Sequence, residues 1–344
     1  MEAVLEADTR AVIGEGPLWD EENGRLYWVD ILGSELHIFD PEEKINRSVK
    51  FKSFVTALAK YTKDELIMTM KDGFYLYHLQ DDSLEKIKQP KDMDESLRFN
   101  DAKCDPYGRL WAGTMSMEGE QKQASLYRLD PDGRLIKMKD QVSTSNGLDW
   151  DRERNLMYYI DTPTQEIVRY RYDPESGNVS NPEPVYRFDQ SEGLPDGMTI
   201  DQNGMLWVAL FGGSRVVHID PFQKKEIDSI SVPAKYVTCC AFGGRDLKTL
   251  YITTATEQMT ETERYEQPHA GGFFQQNWKQ AAISRFHTLE MYKKTHPKLG
   301  CVFAYYRERI IPPSTRCAVP LMADAASDAR NTIVLATSSA VAYR

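Results

Sequence analysis

The chain has no apolar run long enough to span a bilayer and no long stretch of helical apolar spacing between residues 10 and 274. Its first ten residues, MEAVLEADTR, lack the basic start and apolar centre of a secretory signal. These absences lead to the expectation of a cytoplasmic protein with no membrane partner. Cysteine is scarce. Cys104, Cys239, Cys240, Cys301 and Cys317 are odd in number and form no metal-spaced pair, which argues against a disulfide framework or a cysteine zinc site. Basic charge is short as well: at a net charge of -10 there is no positive stripe for a phosphate backbone, so nucleic acid is not the expected partner. Cations and neutral polar solutes suit such a chain better, and nothing in it implies a protein partner.

What is present is a repeat. A short apolar strand signal recurs as RLYWVD (25–30), ELIMTM (65–70), RLWAGTM (109–115), LMYYID (156–161), MLWVAL (205–210) and TLYITT (249–254). Anchored on Leu26, Leu66, Leu110, Met157, Leu206 and Leu250, the copies are 40, 44, 47, 49 and 44 residues apart, the period of one four-stranded propeller blade. A following strand often closes on an Asp-Pro turn, as in ELHIFDP, SLYRLDPDG, IVRYRYDPESG and VVHIDP. Proline presets φ there, and the Asp side chain bonds nearby backbone. The expected fold is all-β, a six-bladed β-propeller around a central channel, over residues 1–274.

The rhythm stops after HAGGFF (269–274), which leaves the completeness of the sixth blade open. Residues 275–344 carry ten Lys or Arg against four acids, a charge of +6 that leaves -16 on the rest. They are expected to be an atypical basic extension, poorly ordered and outside the propeller.

Polar residues recur ten to twelve positions before the anchors: Glu15, Asn100, Asn146, Asp196 and Thr238. Equivalent positions in a propeller share radius and height, so these side chains are expected to ring one mouth of the channel. Their contexts, GEGP (14–17), FND (99–101), SNG (145–147) and PDG (195–197), include small residues that permit close approach. Two carboxylates and two amides are hard oxygen donors of the kind Ca²⁺, Mg²⁺ or Mn²⁺ takes. Taken singly, Asn-Gly and Asp-Gly read as hairpin turns. Recurrence at one offset in four repeats favours the metal site.

These residues belong to a wider pattern. GEGPLWD (14–20), LRFNDAKCDPYGRLWAGTM (97–115), STSNGLDW (143–150), GLPDGMTID (193–201) and EQPHAGG (266–272) resemble, in that order, the regucalcin (senescence marker protein), gluconolactonase and luciferin-regenerating enzyme family. The resemblance covers about the first 274 residues. It implies a six-bladed propeller with one divalent metal ion held by Glu15, Asn146 and Asp196. Ca²⁺ is the first expectation, with Zn²⁺, Mg²⁺ or Mn²⁺ as alternatives. It also implies a substrate pocket formed by Arg98, Asn100 and Glu120; without it, Arg98 reads as a surface cation and Glu120 as a solvated loop acid.

The activity implied is hydrolysis of sugar-acid lactones, the metal polarising the carbonyl and Asp196 activating water as general base. Two alternatives share the site: a non-catalytic calcium-binding regulatory protein of the regucalcin type, and a hydrolase of a non-sugar lactone or ester. His37, His78 and His218 fall on strands and read as packed or solvated, and His269 as a packing residue. Ser143 and Ser145 lack the context of a nucleophile elbow, which argues against a serine hydrolase.

Overall fold

Each apolar repeat signal forms the second strand of an antiparallel meander: Arg25–Asp30, Glu65–Met70, Leu110–Ser116, Leu156–Asp161, Leu206–Phe211 and Thr249–Ala255. These strands have a pairing partner on both edges. Nearly all their side chains are buried, which is why they read as apolar runs rather than alternations. The computed structural model describes residues 1–278. The basic extension expected over 275–344 lies, beyond Trp278, outside the described residues.

Four meanders are separate four-stranded sheets, which begin at Gly14, Val55, Leu97 and Ser145. The remainder is one eight-stranded sheet, two further meanders joined through the single pair Phe211 and Tyr236. The last is completed by the opposite end of the chain, where Val4–Ala7 pairs with Phe273–Asn277. Ala3 N–H also donates to the Ser231 carbonyl at 2.8 Å. The closing strand passes the expected boundary at 274 and ends at Asn277. Trp278 then packs edge-on against Trp207, with ring centroids 4.6 Å apart.

The innermost strands are Gly14–Asp20, Val55–Thr62, Leu97–Cys104, Ser145–Asp151, Leu194–Ile200 and Tyr236–Gly243. Each packs on the next, and Tyr236–Gly243 returns to Gly14–Asp20, so the arrangement is propeller-like and encloses a channel. Apolar clusters fill the spaces between sheets, as where Tyr158, Ile167, Met198, Leu206 and Val217 meet.

Two acids show how the repeat builds its corners. Asp105 accepts the Tyr107 and Arg109 backbone N–H groups at 2.8 and 3.0 Å and the Trp111 indole at 3.2 Å. Asp201 does the same for Asn203, Met205 and Trp207 in a later repeat. One carboxylate thus sets the turn and orients the tryptophan of the strand that follows. His37 and His218 are buried, stacked on Trp28 and Trp207 at 3.8 and 4.0 Å, so both are packing residues. His78 lies 3.2 Å from Glu65, and His269 is half exposed.

Candidate functional site

Every innermost strand breaks its ladder where the polar ring residues stand, and Val55–Thr62 breaks a second time between Lys60 and Thr62. Register shifts fall between Glu15 and Leu18, Val55 and Ala57, Phe99 and Ala102, Ser145 and Leu148, Pro195 and Met198, and Val237 and Cys239. A bulge leaves its extra residue out of the ladder and re-aims it. Asn100, Asn146, Asp196 and Thr238 occupy such positions, and Glu15 borders one. Asn146-Gly147 and Asp196-Gly197 are therefore strand bulges, not hairpin turns. The glycines allow close approach: a Cβ on Gly147 would lie 2.6 Å from the Asp196 carbonyl oxygen, and one on Gly197 would collide with Cys239 Sγ.

Hydrogen bonds tie half of the ring together. Arg98 Nη1 donates to Asn100 Oδ1 at 2.6 Å and to the Phe99 carbonyl at 2.9 Å. Asn100 Nδ2 donates to the Ser145 carbonyl at 2.8 Å and to Asn146 Oδ1 at 3.2 Å. Asn146 Nδ2 donates to Thr162 Oγ1 at 2.8 Å, and that hydroxyl donates to the Pro195 carbonyl at 2.9 Å, beside Asp196. The amide of Asn146 is thereby oriented, with Oδ1 as an acceptor that keeps a second lone pair.

The electrostatics are unbalanced. Burial, then the charge of Asp101, pushes the Glu15 carboxyl up to about 8, although the Gly16 N–H donates to it at 2.8 Å. Burial and the charges of Glu15 and Asp101 hold the Asp196 carboxyl far above the usual range, partly offset by Arg98 and Asn146. Burial draws the Arg98 guanidinium down to about 10, against the pull of Glu257, Glu15 and Asp196. Two buried carboxyls thus repel each other and Asp101, with one buried guanidinium to offset them.

The profile of the SMP-30/Gluconolactonase/LRE-like region matches residues 13–256. The chain belongs to this family. Within the SMP-30/gluconolactonase family, it is 93% identical over 274 residues to a Bacillus subtilis (strain 168) protein carrying the provisional name sugar lactone lactonase YvrE, covering 80% of this chain and 94% of that one. It is 38% identical over 267 residues to regucalcin of Xenopus laevis, covering 76% and 89%. The solved structure of a calcium-binding protein, regucalcin, from Agrobacterium tumefaciens strain C58 aligns with a TM-score of 0.77 at 25% identity, covering 83% of this chain and 97% of that one.

The donor chemistry fits the divalent ion that family membership implies. Among the described residues no three His, Cys, Asp or Glu side chains form a metal-holding group. A cation here would rest on two carboxylates and an amide oxygen, and it would relieve the repulsion between the acids.

Arg98, expected on sequence grounds alone to be a surface cation, is buried, as is Asn100. Glu120 is exposed on the loop that follows Leu110–Ser116, and no hydrogen bond ties it to the buried network. Thr56 completes the set of bulges, where its hydroxyl bonds to Thr69; nothing in VTALAKYT marks it as a site residue. Asp101, Cys239 and Glu257 were missed as well. Asp101 directly follows Asn100, so its place on a bulge was a usable signal; the other two become neighbours only through folding. No helix among the described residues is long and apolar enough to cross a membrane.

Proposed function

We propose that this protein is a divalent-metal-dependent hydrolase of sugar-acid lactones, a six-bladed propeller in which Glu15, Asn146 and Asp196 hold one ion at a channel mouth, Ca²⁺ first among the candidates. The observation that carries this reading is the pair of buried, mutually repelling carboxyls facing an oriented amide oxygen. Counting each half of the eight-stranded sheet as one blade supports the number six. The name of the Bacillus relative supports the lactone, and that of the Agrobacterium protein supports the ion.

A bound divalent cation supplies Lewis-acid polarisation of a carbonyl and positive charge for the oxyanion that develops. Asp196 takes a proton from water as the water oxygen bonds to the carbonyl carbon. The ring carbon–oxygen bond then breaks, and the leaving oxygen receives a proton, giving the open hydroxy acid. Asn100 and Asn146 hold each other in place. Arg98 has N–H donors beyond its two bonds to Phe99 and Asn100, and a guanidinium fork suits substrate hydroxyls. Glu120 would reach the same hydroxyls from its loop.

The test is turnover of a panel of 1,4- and 1,5-aldonolactones by chelated and remetallated protein. Activity that returns with a divalent ion supports the reading. Undiminished activity after chelation refutes the metal, and metal binding without turnover of any lactone favours the calcium-binding regulatory protein.

A further inference from the structure

Behind the ring the channel widens into a cavity of about 330 Å³ that runs from Gly16, Asp101 and Cys239 to the turns at the far ends of the inner strands. Its volume falls at the small end of the range for ligand pockets, ~300–1,000 Å³. Leu148 and Trp150, Met198 and Ile200, and Ala102 pack into the apolar clusters between sheets. Asp149, Thr199 and Lys103 belong to no such cluster and line the cavity beside Trp150, Ile200 and Ala102. Leu18, Leu58 and Ala241, from the other three innermost strands, line it as well.

The polar wall is a connected unit. Lys103 Nζ donates to Asp149 Oδ2 at 3.2 Å and to the Met198 carbonyl at 2.5 Å. Thr199 Oγ1 and the Ile200 N–H donate to the same carboxylate oxygen at 3.4 and 3.2 Å. An ammonium has three N–H groups, so these bonds leave Lys103 one donor to spend. Its charge is already met by Asp149, and at the far end Lys60 is paired with Asp20. A free anion would also meet Asp101 at the deep end. Lys60, Lys63, Lys103 and Arg152 are outnumbered by the six acids of the lining, so the cavity has no surplus positive charge, and Lys103 offers one hydrogen bond opposite Leu18, Leu58 and Ala241.

We propose that this rear cavity is a second small-molecule site, separate from the metal-and-lactone mouth, for an uncharged one- or two-ring aromatic molecule that carries a hydroxyl or carbonyl. The oxygen accepts from Lys103 while the ring lies on Leu18, Leu58 and Ala241. The proposal is independent of lactone hydrolysis, and its test needs neither lactone nor metal.

Titration of the full chain with 2-naphthol, followed by calorimetry and ligand-observed NMR, is expected to show one saturable site per chain. Filling the apolar wall with Ala241→Leu is expected to weaken binding about tenfold or more, and Ala241→Val by less; the smaller variant carries the test if the larger one fails to fold. Naphthalene, which lacks the oxygen, is expected to bind about tenfold more weakly than 2-naphthol. Absence of saturable binding, equal affinity in wild type and the filled variants, or equal affinity for the two probes overturns the proposal.

Discussion

The two ends of the channel are built by the same six strands and treat buried charge in opposite ways. At the rear, Asp149 is paired with Lys103, Asp20 with Lys60 and Asp105 with Arg109. At the front, Glu15 and Asp196 are buried with Asp101 as a further repelling charge and Arg98 as their guanidinium partner. A paired buried charge ties neighbouring elements to each other. Like charges buried side by side repel and raise the energy of the site, a cost that a cation would relieve. The difference separates an end whose charges are matched from an end whose charges repel.

The strongest way to break this comparison is at Asp196. Asp196→Ala is expected to lower lactone turnover about 10³-fold or more, as loss of a general base and of a metal ligand together would. It is expected to leave the metal-free protein at least as resistant to urea, because a repelling carboxyl has gone. Near wild-type turnover, or a large loss of stability, would contradict the assignment of the front.

The rear is tested by Lys103→Met, which removes the Lys103–Asp149 ion pair and is expected to destabilise the protein by about 3 kcal/mol in equilibrium urea unfolding. A change within error would place the pair among the ornamental ones. Together the two variants should move stability in opposite directions, and that contrast is harder to obtain by accident than either result alone.

Buried His37 sharpens the comparison because burial outweighs the carboxylate of Glu35 3.5 Å away. Burial draws its imidazole down to about 4 from 6.5, outweighing the opposing pull of Glu35 and Asp30. The unfolded chain therefore binds the proton more tightly. This contribution is intact above pH 6.5 and is lost as pH falls from 6.5 toward 4, an expected change of about 3 kcal/mol at most. Urea melts across that window should show a slope that His37→Phe reduces; an unchanged slope assigns the acid sensitivity elsewhere.

Arg98→Ala carries the smallest expected effect. KM for polyhydroxylated lactones should rise about tenfold with kcat little changed, the mark of binding lost equally in ground and transition states. An effect confined to apolar lactones would favour the non-sugar hydrolase instead.

Much of this architecture is legible in the chain because both of its causes are local. The apolar second strands have a pattern of their own, and Asp105 and Asp201 bond within a few residues of themselves. Glu15, Asn100, Asn146 and Asp196 could be aligned because equal offsets in a repeat become equal positions in space. Thr56 escaped because a threonine in an apolar strand carries no chemical flag. The pairing of Val4–Ala7 with Phe273–Asn277 escaped because no local pattern reports a contact between the two ends of the sheet array.

By itself, then, the sequence determined the repeat, the all-β class and the residues that share one mouth, since each follows from short-range patterning. Only the tertiary structure decided that Asn146 and Asp196 lie on strand bulges rather than turns, that Arg98 is buried among acids, and that Cys239 meets Gly197 beneath the ring. The physical reason is that burial and Coulomb repulsion depend on distances between strands far apart in the chain, and those distances exist only once the sheets have closed around the channel.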